Sequence, residues 1–165
     1  MKVKTLNDLF VDMVKDLYSA ENQLIKALPK MAKKSGSLEL KKEFEKHLEE
    51  TIQQKERLEQ VAELMEFNPK GKKCLGMEGL IDEAEELIGE VKDADVLDAG
   101  LIAAAQKVEH YEIASYGTVC TFAKMLGQNE VVNILHQTLE EEKAADANLT
   151  EIAEKMVNEK AASHV

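Results

Sequence analysis

Four stretches of this chain repeat apolar side chains every third or fourth residue, and near the middle of each an acid stands where the repeat calls for an apolar group. The spacing predicts amphipathic helices over about residues 5–34, 37–67, 96–126 and 129–158. The first carries Leu6, Leu9, Phe10, Met13, Leu17, Leu24 and Leu28, and the second Leu40, Phe44, His47, Thr51, Leu58, Val61 and Met65. In the third, Leu101, Ala105, Val108, Glu112, Tyr116, Val119 and Ala123 mark the stripe; in the fourth, Val132, Leu135, Leu139, Leu149, Ile152 and Met156. Thr5 with Asp8 reads as a capping box, Ser37 as an N-cap, Asp95 with Asp98 as a capping start and Gly127 as a stop.

Residues 68 to about 97 form a crossover: a basic loop around Gly71, then a short acidic helix over about 77–90. Two short-linked helix pairs joined by one long connection predict an all-α, ferritin-like four-helix bundle, with the short extra helix in the crossover between helices 2 and 3. A single domain over residues 1–165 is expected, long enough for a substantial core. Two Pro and eight Gly are too few for a turn-rich β fold. The tail, AASHV, is expected to fray.

The misplaced acids are Glu21 in the first helix, Glu50 in the second, Glu109 and Glu112 in the third, and Glu142 and Asp146 in the fourth. Glu109 and Glu112 share one face at a spacing of three. Acids are seldom buried unless paired or bound to metal, and a buried like-charged pair protonates unless a cation sits with it. Each acid taken singly could lie in water at the edge of its stripe. In an antiparallel bundle, however, helix midpoints meet at one level. Carboxylates from facing helices are the ligand architecture of di-iron and di-manganese bundles, and oxygen donors favour those hard ions. The expected cofactor is therefore two metal ions, iron or manganese.

The usual Glu-x-x-His of such bundles is missing, since His47 precedes Glu50 and His110 follows Glu109 directly. His47, on the stripe, is read as a buried partner of a carboxylate or as a direct ligand, and Gln54 as a weak neutral ligand. Tyr116 and Tyr18 are read as core residues whose hydroxyls bond carboxylates. His110 and His136 are placed at the surface. Cys74 and Cys120 form no CxxC pair and are taken as reduced structural thiols.

A net charge of −11 argues against nucleic acid or an anionic membrane as partner. No window is apolar enough to span a bilayer, and the start MKVKTLNDLF lacks a signal-peptide core, so a cytoplasmic protein is expected.

The stretches YSAENQLIKALPKMA, HLEETIQQKERLEQV, MEGLIDEAEELI, GLIAAAQKVEHYEIASYGT and LEEEKAADANLTEIA resemble the bacterial stress-protein family YciF/YciE, of the ferritin-like superfamily, over residues 3 to about 157. The resemblance implies a ferritin-like bundle, homodimeric, with a rubrerythrin-like two-metal site. Glu21, Glu50, the Glu109–Glu112 pair and Glu142 match that site's glutamates in order. Asp146 stands where rubrerythrins place a histidine, and Gln53 or Gln54 where their second helix has one. These departures remove nitrogen ligands and count against rubrerythrin-type peroxidase chemistry.

The functional expectation is a stress-related protein with a carboxylate-rich di-metal centre that reacts with oxygen or peroxide. The alternative is metal handling without catalysis, or a structural or interaction role in the stress response.

Overall fold

The computed structural model describes residues 2–164. It is all-helical: α1 (Leu6–Lys34), α2 (Leu38–Leu64), α3 (Leu75–Glu90), α4 (Ala94–Met125), α5 (Asn129–Ile152), a π-helical turn (Ala153–Val157) and α6 (Asn158–Ala162). α1 packs on α2 and α4 on α5, and the two pairs close on each other through α2 with α5 and α1 with α4. α3 lies outside this ring, against α4 and α1. This is the ferritin-like arrangement expected from the long second connection.

Helix ends follow local chemistry. Thr5 and Asp8 make the reciprocal capping box, and the Ser37 hydroxyl accepts from Leu40 N–H. After α4, Gly127 takes φ 71°, while its N–H and that of Gln128 reach back to the carbonyls of Lys124 and Ala123. That is a Schellman stop, which needs the left-handed backbone glycine adopts at low cost.

Three expectations are corrected. The N-cap of α4 is Asp93, which accepts from Asp95 and Val96 N–H, so the helix begins earlier than the Asp95–Asp98 pair suggested. α3 begins at Leu75 because the Cys74 thiol accepts from Met77 N–H, giving this cysteine a capping role. The tail does not fray through residue 164: helix continues to Ala162, and His164 sits 3.3 Å from Asp93 and 2.9 Å from Asp95. Val165 lies outside the described residues.

Asp98, freed from capping its own helix, is buried and accepts from Gly36 N–H at 2.8 Å and Ser37 N–H at 2.7 Å. It thereby ties the α1–α2 turn to α4. Asp98→Ala removes an ionised acceptor from two amides and is expected to cost about 2 kcal/mol, seen as a lower urea midpoint at unchanged slope.

The core is split. One apolar cluster gathers Leu24, Leu28, Phe44, Leu101 and Leu149; the other gathers Phe10, Leu17, Leu58, Tyr116 and Leu135. Along every helix of the ring, the expected acids fall in the gap between these clusters.

Candidate metal centre

The gap is lined from four helices. α1 contributes Glu21, α2 His47, α4 Glu109 and Glu112, and α5 Glu142, and all five side chains are buried. One ligand atom from each of His47, Glu109, Glu112 and Glu142 can be chosen so that all lie within 4.8 Å of one another. The His47 ring is central. Its Nε2 lies 3.0 Å from Glu109 Oε1 and 3.9 Å from Glu142 Oε2, and its Nδ1 is 3.6 Å from Glu50 Oε2. The 3.0 Å approach is off the hydrogen-bonding direction, so among the described residues neither ring nitrogen makes a hydrogen bond.

Glu21 is held by the Tyr116 hydroxyl, which donates to Oε1 at 2.5 Å. Its Oε2, Glu109 Oε2 and all four oxygens of Glu112 and Glu142 are buried without a donor. Buried oxygens of this kind ordinarily cost free energy unless a proton or a cation meets them.

Burial and neighbouring charge shift the acidities within the cluster. Burial, opposed by the Tyr116 bond, raises the Glu21 carboxyl to about 7. Burial raises Glu112 and Glu142 well above the carboxylate range, with the charges of their neighbours adding to it. For Glu109, burial is outweighed by the His47 charge, and its pKa is lowered. For His47, burial is outweighed by the charges of Glu109 and Glu142, and its pKa is raised. These directions favour a charged Glu109–His47 pair beside carboxyls whose burial favours the protonated form.

Not every expected residue enters this layer. Glu50 stands at the rim, 20% exposed, with Lys46 Nζ 3.6 Å away. Asp146 is also at the rim, 3.2 Å from the exposed His110. Gln54 is buried, but its amide donates to Glu141 at 3.1 Å. Tyr18 donates to Glu59, and His136 lies at the surface near Glu140.

Arg57, Thr138 and Glu141 escaped the sequence reading. Arg57 holds Glu141 in a two-pronged grip at 2.6 and 2.8 Å and donates to Thr138 at 3.1 Å, joining α2 to α5 beside Glu142. A signal existed: Arg57 is the sole arginine of a chain otherwise supplied with lysine. Only the planar guanidinium binds a carboxylate through two parallel bonds.

The donor set fits a hard cation. Three carboxylates and one imidazole converge in a dry layer, with oxygens that have no other partner. Cys74 and Cys120, the softer donors, are free thiols outside it.

Residues 5–162 match the model of the family described as domain of unknown function DUF892. The chain is 52% identical over 163 residues to protein YciF of Escherichia coli K12, covering 98% of each sequence. The crystal structure of the E. coli stress protein YciF superposes with a TM-score of 0.91 at 50% identity, covering 94% of this chain and 99% of that one. YcfI from Rhodopseudomonas palustris gives 0.88 at 45% identity, with 90% and 95% covered. A two-domain protein of Anabaena variabilis with a ferritin-like domain aligns at 0.61 and 16% identity over 94% of this chain and 38% of that one, a likeness of fold alone.

Proposed function

We propose, for a chain that belongs to the DUF892 family beside the E. coli stress protein YciF, that the buried layer binds two hard metal ions, iron or manganese, and serves the stress response by reacting with oxygen or peroxide. The observation that carries this reading is the set of buried, partnerless oxygens on Glu21, Glu109, Glu112 and Glu142 around His47. Bound metal would supply one-electron chemistry and offset the carboxylate charge.

The chain's own residues do the rest. Glu21, His47, Glu109, Glu112 and Glu142 would hold the ions, with Glu50 and Asp146 in reserve at the rim. His47 must give up its proton before it can ligate. Tyr116 fixes the rotamer of Glu21, and the two apolar clusters keep bulk water out. A cytoplasmic homodimer fits the reading; among the described residues no helix is long and apolar enough to cross a membrane.

A second reading is favoured by one arrangement: the His47 ring, 3.0 Å from Glu109 and 3.9 Å from Glu142, can offset carboxylate charge without metal. The protein would then be structural. Purification without a metal-binding tag, followed by metal analysis, separates the two. The first reading predicts about two ions per chain and ferric absorbance on adding ferrous iron in air. Metal bound without ferric absorbance leaves metal handling. A metal-free chain whose melting is indifferent to iron and manganese supports the structural role.

A further inference from the structure

Asp146 is divided between the interior and the surface. It stands one turn beyond Glu142 on α5, with its side chain 23% exposed. Its Oδ1 is buried and, among the described residues, has no hydrogen-bond partner. Its Oδ2 lies 3.2 Å from Nε2 of His110, a ring 72% exposed. Side chains four apart on a helix are neighbours, with Cβ atoms roughly 6 Å apart. The inward oxygen thus belongs to the same helix face as Glu142, one turn on, and His110 directly follows Glu109 on the facing helix.

The other approaches are less favourable to a cation. Along the bundle axis the layer is closed on both sides by the apolar clusters. At the α2 edge, Glu50 is also part-exposed, but the Lys46 ammonium is 3.6 Å from it and repels an incoming positive charge. At the Asp146 edge the one basic side chain within 4.0 Å, among the described residues, is the imidazole of His110, 72% exposed and with no lysine or arginine beside it.

We propose that Asp146 is the entry carboxylate of the centre: a divalent cation displaces His110 from Oδ2, crosses to Oδ1 and is passed to Glu142 and Glu109. Asp146 is in this account a transit group and not a resident ligand, and His110 is the latch that holds it when no ion is passing. The proposal rests on the metal-binding reading above.

The test follows manganese(II) uptake by the chelator-stripped full chain. The rate is read in stopped flow from a fluorescent manganese-binding dye, and the stoichiometry after equilibration from the electron paramagnetic resonance of free manganese. Asp146→Asn is expected to slow uptake about tenfold, as loss of a steering charge does, with stoichiometry unchanged. His110→Ala is expected to speed uptake about threefold, the worth of one weak hydrogen bond, again at unchanged stoichiometry. Asp82→Asn, an exposed acid on α3, should load at the wild-type rate.

Wild-type uptake by Asp146→Asn overturns the entry role while leaving metal binding intact. Reduced stoichiometry in Asp146→Asn makes it a resident ligand and overturns the transit role. Absence of uptake by the wild type overturns both readings together.

Discussion

Glu112→Gln is expected to abolish metal binding and, at the same time, to make the metal-free protein more stable. Glu112 is buried, neither of its oxygens meets a donor, and burial and neighbouring charge hold its carboxyl protonated. The amide has the same shape and, unlike the carboxyl, needs no proton taken up on folding at pH 8. Relief of that penalty should add about 1–2 kcal/mol to the chelated protein at pH 8, the scale found when buried charges give way to neutral groups. Manganese affinity should fall at least about 100-fold, since even a residue that only supports a ligand costs up to that much. Glu109→Gln should differ in sign. Glu109 is the ion partner of His47, and its loss strands a buried base, so the metal-free protein is destabilised. Denaturant titration of both variants with and without manganese reads the pair of signs. A chelated Glu112→Gln less stable than wild type, or one that retains full manganese affinity, would refute the account.

Metal removal should also make stability fall as pH rises. Glu21, Glu112 and Glu142 have raised values in the fold, so between the ordinary carboxylate range and their folded values the native state holds more protons than the unfolded chain. Stability then decreases with pH. The contribution is complete below the unfolded value and is lost as pH passes the folded one, near 7 for Glu21 and well above the ordinary carboxylate range for the other two. His47, also raised, acts with the same sign. Glu109 is lowered, so its contribution is lost only at the acid end. Glu21 alone moves from 4.5 to about 7, a limit on the order of 3 kcal/mol. The chelated protein should therefore melt progressively lower from pH 5 to pH 9. Manganese displaces these protons, so the loaded protein should hold its melting temperature and the gap between the two should widen with pH. A gap that narrows as pH rises would show that the carboxyls are not protonated in the metal-free fold.

Much of the site was legible because a helix has a fixed period. Glu21, Glu109, Glu112 and Glu142 interrupt apolar stripes, and the structure places all of them in one buried layer. The EEE run at 140–142 shows how narrow that legibility is. Successive residues are turned about 100° from each other, so Glu140 meets Lys143 at the surface, Glu141 meets Arg57, and Glu142 enters the layer. Only the phase of the neighbouring apolar residues selects the third. Glu50 and Asp146 were less legible because the edge of a stripe is settled by how each helix is rotated against its neighbours, which periodicity leaves free by tens of degrees. That rotation put both acids at the rim.

Beyond the Tyr116, Tyr18 and His47 contacts to carboxylates, whose partners were not named, long-range pairings were not legible. Asp98 looked like a cap for its own helix because the local pattern allowed it, yet its carboxylate is spent on Gly36 and Ser37, more than sixty positions earlier. The Arg57–Glu141 grip and the use of Cys74 as a cap likewise depend on what lies across the interface.

The sequence by itself determined the helices, the long crossover and hence the bundle, because period, caps and connection length are local quantities. It also determined that acids would sit at mid-helix. Tertiary structure decided that His47, out of order for a metal bundle, stands among them, its Nε2 3.0 Å from Glu109 and 3.9 Å from Glu142. It decided too which acids are sealed and which keep one oxygen at the surface, because burial and charge depend on distances between helices that no single helix encodes.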